Sequence, residues 1–525
     1  MTCNVLRDNP DVATRTDLQG PPKKLICGAM CFLLVYVIVR SVVAAAGKPF
    51  WFDELLTVTV SAQGSWSAVL TALLRLVDNH PPLFYILEHF ASGLTRNQEI
   101  AFRLPSILAF PCTLTCVFLY VKKNSGELIA FLCAVFLLTT SLFQLYAVEA
   151  RGYSMVIACV AFTLLCYQRA PLPFWTLLLA TGLVLAVSLH YLAVLVVIPF
   201  GMAESVRFLT TRRFRWPVWA AFAAGALPLI PVWKLLALNK AYYGPHYWAR
   251  FQFSSIPSTY GQLFLTNSEY GAGIAAVVLA GVVGTALWHR STERLDAESK
   301  GEARAEATLV FAFVAMPFIG YLFMIATHSG LTTRYVLSAV VGVSVAFGYI
   351  LSRARLGAIA IFAVFVFSAV GVCELHFWRA ARGRINDVKS SGISSGKFIV
   401  SAGHRELPVV VPSGLTLMWL IHYGSPPATD RFFYPTQDPP PGDDKWTDTV
   451  DRWMQVGADY LPLKVANFSQ FTAAHQQFLL YAEDSDTPRD WMTLRLSREG
   501  WSMETVALDD SRRIYLVSRK GDSSQ

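Results

Sequence analysis

The sequence predicts a polytopic α-helical membrane protein that ends in a separate α/β domain. Of its 525 residues, 54% are hydrophobic and 15% are charged, and the mean hydropathy of +0.43 is too high for a soluble protein of this length. Apolar runs of near-spanning length recur as far as Val372, after which strand and helix patterns alternate in a more polar chain. The net charge of +8 then indicates basic cytoplasmic loops, and nucleic acid is not an expected partner.

Eleven apolar runs are long enough, or nearly so, to be transmembrane helices. In chain order they are Leu25 to Val43, Leu104 to Val121, Leu128 to Val148, Tyr153 to Tyr167, Pro171 to Leu189, Tyr191 to Val206, Val218 to Leu238, Tyr270 to Trp288, Ala307 to Thr327, Val336 to Ser352 and Leu356 to Val372. A polar tail, residues 1–24, precedes them, so the first run is predicted to be an uncleaved signal anchor. The predicted division is this tail, a membrane domain at 25–375 and an α/β domain at 376–525.

One short apolar segment, Pro81 to Thr95, decides on which side of the membrane every later loop lies. It is apolar but short and contains Glu88 and His89, so it is either a span or a juxtamembrane helix. If it does not cross the membrane, most loop lysines and arginines fall on the side of the N-terminus, so the positive-inside rule favours a juxtamembrane helix and a cytoplasmic N-terminus. The C-terminal domain is therefore predicted to be extracytoplasmic, with the bacterial inner membrane as the expected location.

That topology gathers the residues able to do chemistry on the outer face. Ionisable groups at membrane depth are costly and are usually kept for a task. Solvated loop ends are the alternative explanation. The residues predicted to lie on this face are Asp53, Glu54, His80, Glu149, Arg151, His190, those of the loop 239–269, His328 and Arg334.

Asp53 and Glu54 lie in "PFWFDELLTV", directly after the first predicted span. Acidic residues near a helix start cap it and interact well with its dipole, so a structural role is one explanation. Catalysis is the other. Adjacent residues of a helix point about 100° apart, so the two carboxylates are not expected to share one task.

Two further motifs place polar residues at predicted helix ends. In "DNHPPLFY" two prolines fix the backbone and would hold His80 at the mouth of a helix, although an incidental histidine at a helix start explains the motif as well. In "YAVEARGYSM" Glu149 and Arg151 lie between two apolar spans. Arginine offers a planar fork for phosphate oxygens, but an interfacial salt bridge is the simpler explanation of this motif alone.

The motifs "SLHYLAV" and "HSGLTTRYVL" present His190, and then His328 and Arg334, in the same way. Arg334 could neutralise a phosphate or merely anchor a helix end. Tyr243 belongs to "NKAYYGPHYWARFQF", which is rich in aromatic and basic residues. Aromatic faces suit sugar rings, yet the interfacial aromatic belt of membrane proteins is the simpler explanation.

In their order along the chain these motifs resemble the GT-C glycosyltransferases of the protein O-mannosyltransferase and lipid A aminoarabinose transferase type. The matching pieces are "WFDELLT", "NHPPLFYIL", "RLPSIL", "YAVEARGYSM", "LHYLAV" and "TTRYVL", which span most of residues 50–340. The resemblance implies a GT-C-like catalytic membrane domain that takes sugar from a polyprenyl phosphate. The β-trefoil insertion typical of eukaryotic O-mannosyltransferases is missing, so the acceptor, whether protein, lipid or polysaccharide, is not carried over.

The resemblance also implies roles for individual residues. Asp53 is the candidate general base and Glu54 a supporting or metal-facing carboxylate; a divalent metal is left open. Arg151 and Arg334 are the candidates for the lipid phosphate. The residues expected to bind substrate are His80, Arg103, Glu149, Arg151, Tyr153, His190, Tyr243 and Arg334.

A transporter or flippase of a lipid-linked or anionic substrate is the rival function. It would use buried arginines as a binding path. The sequence shows no internal repeat and gives no sign of paired broken helices, which many transporters have. The outer α/β domain would also have no evident task in a transporter.

Overall fold

The structure is a computed structural model. It describes residues 22–244, 252–264, 297–354, 356–384, 388–424, 431–437, 447–483, 491–509 and 512–519, together with Tyr247 and Ala249. The chain is a polytopic helical membrane protein with a small C-terminal α/β domain. Most of the predicted tail 1–24 and the predicted span Tyr270 to Trp288 lie outside the described residues.

Nineteen α-helices precede the first described strand. They are α1 (Lys23–Gly47), α2 (Phe52–Ser61), α3 (Trp66–Leu74), α4 (Pro82–Ser92), α5 (Gln98–Ala101), α6 (Leu104–Ser125), α7 (Glu127–Phe136), α8 (Ser141–Tyr146), α9 (Tyr153–Tyr167), α10 (Pro173–Leu189), α11 (Val197–Thr211), α12 (Trp216–Ala226), α13 (Leu229–Tyr243), α14 (Ser255–Phe264), α15 (Ala297–Val314), α16 (Met316–Thr327), α17 (Ala339–Leu351), α18 (Leu356–Arg384) and α19 (Val388–Ser401). Short 3-10 helices cover Leu137–Thr139, Tyr191–Val196 and Thr333–Val336. This count applies to the described residues alone.

Five described helices are long and apolar enough to cross a membrane, or up to seven if each of two bent helix pairs is one span. The five are Lys23–Gly47, Gln98–Ser125, Tyr191–Thr211, Thr333–Leu351 and Leu356–Arg379. Three shorter apolar helices, Glu127–Thr139, Tyr153–Tyr167 and Pro173–Leu189, lie between them in the chain. Because residues 265–296 are not described, the total of eleven spans stays a prediction.

Two predicted spans are bent where hydropathy alone indicates one continuous run. Helices α12 and α13 meet at 41°, and residues 300–314 meet α16 at 67°. Pro228 and Pro317 lie at the two breaks, and proline cannot donate the hydrogen bond of a helix interior. The expectation that no helix pair is broken was therefore wrong. At the second break Tyr260 donates a hydrogen bond to the carbonyl of Val314 at 2.7 Å, so the protein itself satisfies the exposed backbone.

Helices α2 to α5 fill the stretch between the first span and α6. Helix α4 has 11 residues, which makes it about 17 Å long. That is well short of the roughly 30 Å of a bilayer core. The length agrees with the juxtamembrane helix predicted for Pro81 to Thr95.

The C-terminal domain is built on a six-stranded mixed sheet with the order β3-β2-β1-β4-β6-β5. The strands are β1 (Val409–Val410), β2 (Phe432–Thr436), β3 (Lys464–Asn467), β4 (Gln477–Glu483), β5 (Ser502–Leu508) and β6 (Arg512–Ser518). β3, β2, β1 and β4 are parallel, whereas β6 runs antiparallel to both β4 and β5. Four further helices belong to this part of the chain: α20 (Gly414–Tyr423), α21 (Thr449–Gly457), α22 (Phe468–Ala474) and α23 (Trp491–Arg498).

One apolar core joins the juxtamembrane helices to the C-terminal domain. It contains Phe50 from the segment before α2, Phe52 at the start of α2, and Leu417 and Trp453 from α20 and α21, all of them buried. A separate core holds the membrane helices together. The stretch between α1 and α6 and the C-terminal domain therefore lie on the same side of the membrane.

A partly buried polar network links the first described span to the last. Arg40 of α1 forms an ion pair with Glu374 of α18 at 2.8 Å and donates a hydrogen bond to Gln144 at 2.5 Å. The Tyr36 hydroxyl donates to Glu374 at 2.5 Å, and the Trp378 indole donates to Tyr36 at 3.1 Å. Arg40 thus has a protein carboxylate as its partner and anchors two helix ends to one another.

Candidate active site

Five parts of the chain meet on the side of the C-terminal domain. They are the segment 48–51 with the start of α2, residues 78–80 before α4, residues 149–153 at the start of α9, His190 after α10 and the 3-10 helix Thr333–Val336. Gly152 permits one of these approaches, because a Cβ there would lie 2.9 Å from the carbonyl oxygen of Leu189. Most of the residues predicted from the six motifs are brought together here.

Asp53 is the second residue of α2 and is 5% exposed. Its Oδ2 accepts a hydrogen bond from Nη1 of Arg334 at 2.7 Å. The guanidinium of Arg334 also lies over the rings of Tyr153 and Tyr335, at 5.5 and 5.6 Å from their centroids. Its Nε is buried and has no hydrogen-bond partner among the described residues. Arg334 therefore has donor capacity left beside the Asp53 carboxylate.

Glu54, by contrast, is fully engaged. Its two oxygens accept a bidentate pair of hydrogen bonds from Arg103, each at 2.7 Å. Further hydrogen bonds come from the backbone N–H groups of Ala150 at 2.8 Å and Trp51 at 3.2 Å. Burial, the largest single influence, opposes ionisation of Glu54, but the charge and hydrogen bonds of Arg103, the charge of Lys48 and the N–H of Ala150 together outweigh it and lower the pKa of Glu54. The helix-cap explanation is thus the better description of Glu54.

Arg103 uses all five of its N–H groups on protein acceptors. Besides the two donated to Glu54, three go to the carbonyls of Ala45, Lys48 and Pro49 at 2.8, 2.5 and 2.9 Å. The side chain is fully buried. It was predicted to bind substrate, but no donor remains for one in this arrangement. Its contacts describe a residue that positions α2 against the end of α1.

Arg151 is held by Asp78. Its Nη1 and Nη2 donate to the two carboxylate oxygens of Asp78 at 2.6 and 3.3 Å. Nη1 also donates to Thr57 Oγ1 at 2.9 Å and to the carbonyl of Asp53 at 3.1 Å. Arg151 therefore holds the first turn of α2. Its buried Nε, like that of Arg334, has no hydrogen-bond partner among the described residues, but both of its Nη groups are already used by protein acceptors, which makes Arg151 less available to a phosphate than Arg334.

His80 and His190 lie ring against ring, with their centroids 5.1 Å apart. Burial lowers the pKa of His80 well below its ordinary value and that of His190 to about 3, with Arg151 adding repulsion in both cases. Both rings are thus neutral near pH 7. Neither ring nitrogen of His80 has a hydrogen-bond partner among the described residues, although Nδ1 lies 4.0 Å from a carboxylate oxygen of Asp78. Nδ1 of His190 accepts the N–H of Leu192 at 3.2 Å. These groups can donate or accept a hydrogen bond but cannot neutralise a phosphate.

Aromatic rings border the same place. Tyr153 lies 5.2 Å from His190 and 4.7 Å from Tyr146, measured between ring centroids. Tyr335 lies 5.2 Å from His190, and its hydroxyl is 3.3 Å from that of Tyr247. Rings of this kind suit the apolar faces of a sugar.

Glu149 lies just outside this group. Its Oε1 accepts a hydrogen bond from Nζ of Lys48 at 2.7 Å, while its buried Oε2 has no partner among the described residues. Burial raises the pKa of Glu149 to about 7, against the opposing effect of Lys48. Glu149 can therefore exchange a proton near neutral pH.

Tyr243 lies at the interface with the C-terminal domain. Its hydroxyl donates to the carbonyl of Leu76 at 2.7 Å, and its ring lies 5.5 Å from that of Trp453. Since its hydroxyl is used and its ring is packed, these contacts indicate an interface residue, although it was predicted to bind substrate. His328 ends α16 in a left-handed conformation.

Asp78 and Tyr335 were not selected from the sequence, although both belong to quoted motifs. The first precedes "NHPP" and the second follows Arg334, and no spacing rule distinguishes either from a loop residue. Lys48 was also missed as the partner of Glu149. Across the parts of the chain that the structure describes, no group of three or more His, Cys, Asp or Glu residues could hold a metal ion.

Comparisons with known proteins show which solved structures have a similar fold. No family model matches the chain, and no curated protein sequence matches it. The crystal structure of ArnT from Cupriavidus metallidurans in the apo state covers 93% of this chain and 98% of its own, with 13% identity and a TM-score of 0.58. The same protein bound to undecaprenyl phosphate covers 93% and 97%, with 14% identity and a TM-score of 0.54. The chain thus has the GT-C-like fold of this lipid A aminoarabinose transferase.

Proposed function

We propose that the protein is a membrane glycosyltransferase that moves a sugar from a polyprenyl phosphate to an acceptor hydroxyl. The pairing of Asp53 with Arg334 carries the proposal, since it puts a carboxylate next to a guanidinium with an unused donor. The GT-C-like fold supports it, as does the undecaprenyl phosphate bound to the ArnT structure that this chain resembles. The division into a tail, a catalytic membrane domain and an extracytoplasmic α/β domain is part of the same proposal.

In this mechanism Asp53 accepts the proton of the acceptor hydroxyl as that oxygen attacks the anomeric carbon. A hydroxyl is a poor nucleophile near neutral pH, and a positioned base typically contributes about 100-fold or more. The bond from the anomeric carbon to the phosphate oxygen breaks, and the lipid phosphate leaves with the electron pair. Direct displacement inverts the anomeric centre.

Arg334 stabilises the charge that develops on the leaving phosphate. In this step Arg334 exchanges partners: when the guanidinium binds the phosphate, the Asp53 carboxylate loses its ion pair and is free to accept the proton of the acceptor hydroxyl. Arg151 keeps its bidentate pairing with Asp78 and fixes the Asp53 backbone. The neutral His80 and His190, with Tyr153, face the sugar hydroxyls and ring.

Arg334→Gln is expected to weaken binding of undecaprenyl phosphate by about 10- to 100-fold, because a charge-assisted hydrogen bond is lost. Titration of the purified protein with the lipid in detergent measures this. Arg75→Gln is the control, since Arg75 lies on the same side and pairs with Asp459 in an exposed salt bridge. Equal affinities of Arg334→Gln and the wild type would exclude Arg334 as the phosphate ligand.

The membrane side of the site is part of the proposal and can be measured separately. In a cysteine-free background, Ser67→Cys should react with a membrane-impermeant maleimide on intact cells. Arg213→Cys, in the basic loop after α11, should react only after permeabilisation. Both positions are exposed. The opposite labelling pattern would place the site in the cytoplasm and overturn the topology.

Transfer itself is tested with the protein reconstituted in liposomes that contain a labelled polyprenyl-phosphate sugar. Label appearing on an acceptor or on water, with release of polyprenyl phosphate, supports the enzyme. Label that crosses the bilayer while still attached to the lipid supports the flippase. Mass spectrometry of lipids that copurify with the protein would identify the sugar.

A further inference from the structure

The segment 48–51, which leads from α1 into α2, has its backbone polar groups fixed from three directions. Arg103 donates hydrogen bonds to the carbonyls of Lys48 and Pro49, the first two residues of the segment. The N–H of Trp51 donates to Glu54 at 3.2 Å. The N–H of Phe50 donates to the hydroxyl of Tyr423 at 2.9 Å. Only the last of these partners comes from the C-terminal domain.

The Phe50 N–H has no ready alternative to Tyr423. Phe50 is 1% exposed, so water does not reach it freely, and a buried N–H without a partner is costly. The Tyr423 hydroxyl also donates to Oε1 of Glu99 at 3.4 Å. It is thus held between a buried donor and a buried acceptor, 373 residues away from Phe50 in sequence.

Side chains of the same domain pack on both sides of the segment's exit into α2. The ring of His422 lies 5.5 Å from that of Phe50, in an edge-to-face arrangement. The ring of Trp453 lies 5.3 Å from that of Phe52. Asp53 is the next residue after Phe52, so the C-terminal domain borders the first turn of α2 directly.

We propose that the C-terminal domain is a positioning element for the active site, and that Tyr423 fixes the segment 48–51 and through it the Asp53 carboxylate. The inference rests on the proposed function where it concerns transfer. A misplacement of a reacting group by about 1 Å can cost on the order of 100-fold in rate. A hydrogen bond that fixes the entry to α2 therefore acts on turnover without touching substrate.

Tyr423→Phe tests this, because it removes the hydroxyl and keeps the ring. Hydrogen exchange, followed by mass spectrometry of peptides that contain the Phe50 amide, should become about tenfold faster. The kcat of sugar transfer should fall by about tenfold or more, while the KM for the lipid donor stays unchanged. Tyr242→Phe is the matched control: its hydroxyl contacts the carbonyl of Arg452 at the same interface, at 3.5 Å, away from the segment 48–51.

If hydrogen exchange of the Phe50 amide is unchanged in Tyr423→Phe, Tyr423 does not fix the segment 48–51, whatever happens to the activity. Faster exchange with unchanged kcat would overturn the positioning of Asp53. A KM that rises with constant kcat would do the same, since it indicates a substrate contact. If the wild type transfers no sugar, the proposed function fails. The rate of hydrogen exchange at the Phe50 amide, compared between Tyr423→Phe and the wild type, still decides whether Tyr423 fixes the segment.

Discussion

Asp53→Asn is expected to lower the turnover of sugar transfer by about 100-fold or more, with the protein still folded and inserted. Asparagine has nearly the same shape as aspartate but cannot accept a proton from the acceptor hydroxyl. It also releases Arg334 from its ion pair, so the affinity for the lipid phosphate should be retained or increased. Steady-state rates and lipid titration on the same preparation separate the two effects.

Asp459→Asn is the control for this prediction, because Asp459 is an exposed acid of the C-terminal domain on the same side of the membrane. Near-normal turnover of Asp53→Asn would remove Asp53 from the mechanism. Glu149, whose pKa is raised to about 7 and whose Oε2 has no partner among the described residues, would then be the next base to examine.

Arg103→Met is expected to lower the free energy of unfolding by about 3–5 kcal/mol, as removing one partner of a buried ion pair typically does. The change leaves the Glu54 carboxylate buried without its cation and leaves three backbone carbonyls without a donor. Denaturant unfolding in detergent measures the loss. Arg75→Met, which breaks an exposed pair, should change the stability by no more than about 1 kcal/mol.

A double-mutant cycle isolates the pair itself. Glu54→Gln alone should also destabilise the protein, and the double variant should lose less than the sum of the single losses, with a coupling of about 0.5–3 kcal/mol. Strict additivity would mean that the two side chains do not interact. A small loss for Arg103→Met would mean that its contacts with the carbonyls are not formed.

The order of the helices and the motifs could be predicted because both are local signals. Hydropathy located α1, α6 and α18. The assignment of loops to the two sides of the membrane grouped Asp53 with Arg334. The helix breaks at Pro228 and Pro317 were not predicted, because hydropathy averaged over a window does not register the loss of one backbone hydrogen bond.

The division of labour among the arginines could not be predicted. In the sequence Arg103, Arg151 and Arg334 are equally plausible substrate ligands, because all three lie next to predicted spans. What separates them is how many donors the protein already uses, and that depends on acceptors such as the Pro49 carbonyl. The hydrogen bond between Tyr423 and Phe50 could not be predicted for the same reason: a hydroxyl and an amide 373 residues apart share no local pattern.

The pairing of Arg40 with Glu374 has a consequence for biosynthesis. The two residues are 334 positions apart, and a ribosome adds about 5 to 20 residues per second. Arg40 therefore enters the membrane about 17 to 67 seconds before its carboxylate exists. An arginine at membrane depth is costly without a partner, so during that interval we expect α1 to keep the charge of Arg40 at the lipid headgroups. Helix α18, the last span described, supplies the carboxylate with which Arg40 of α1 pairs in the finished protein.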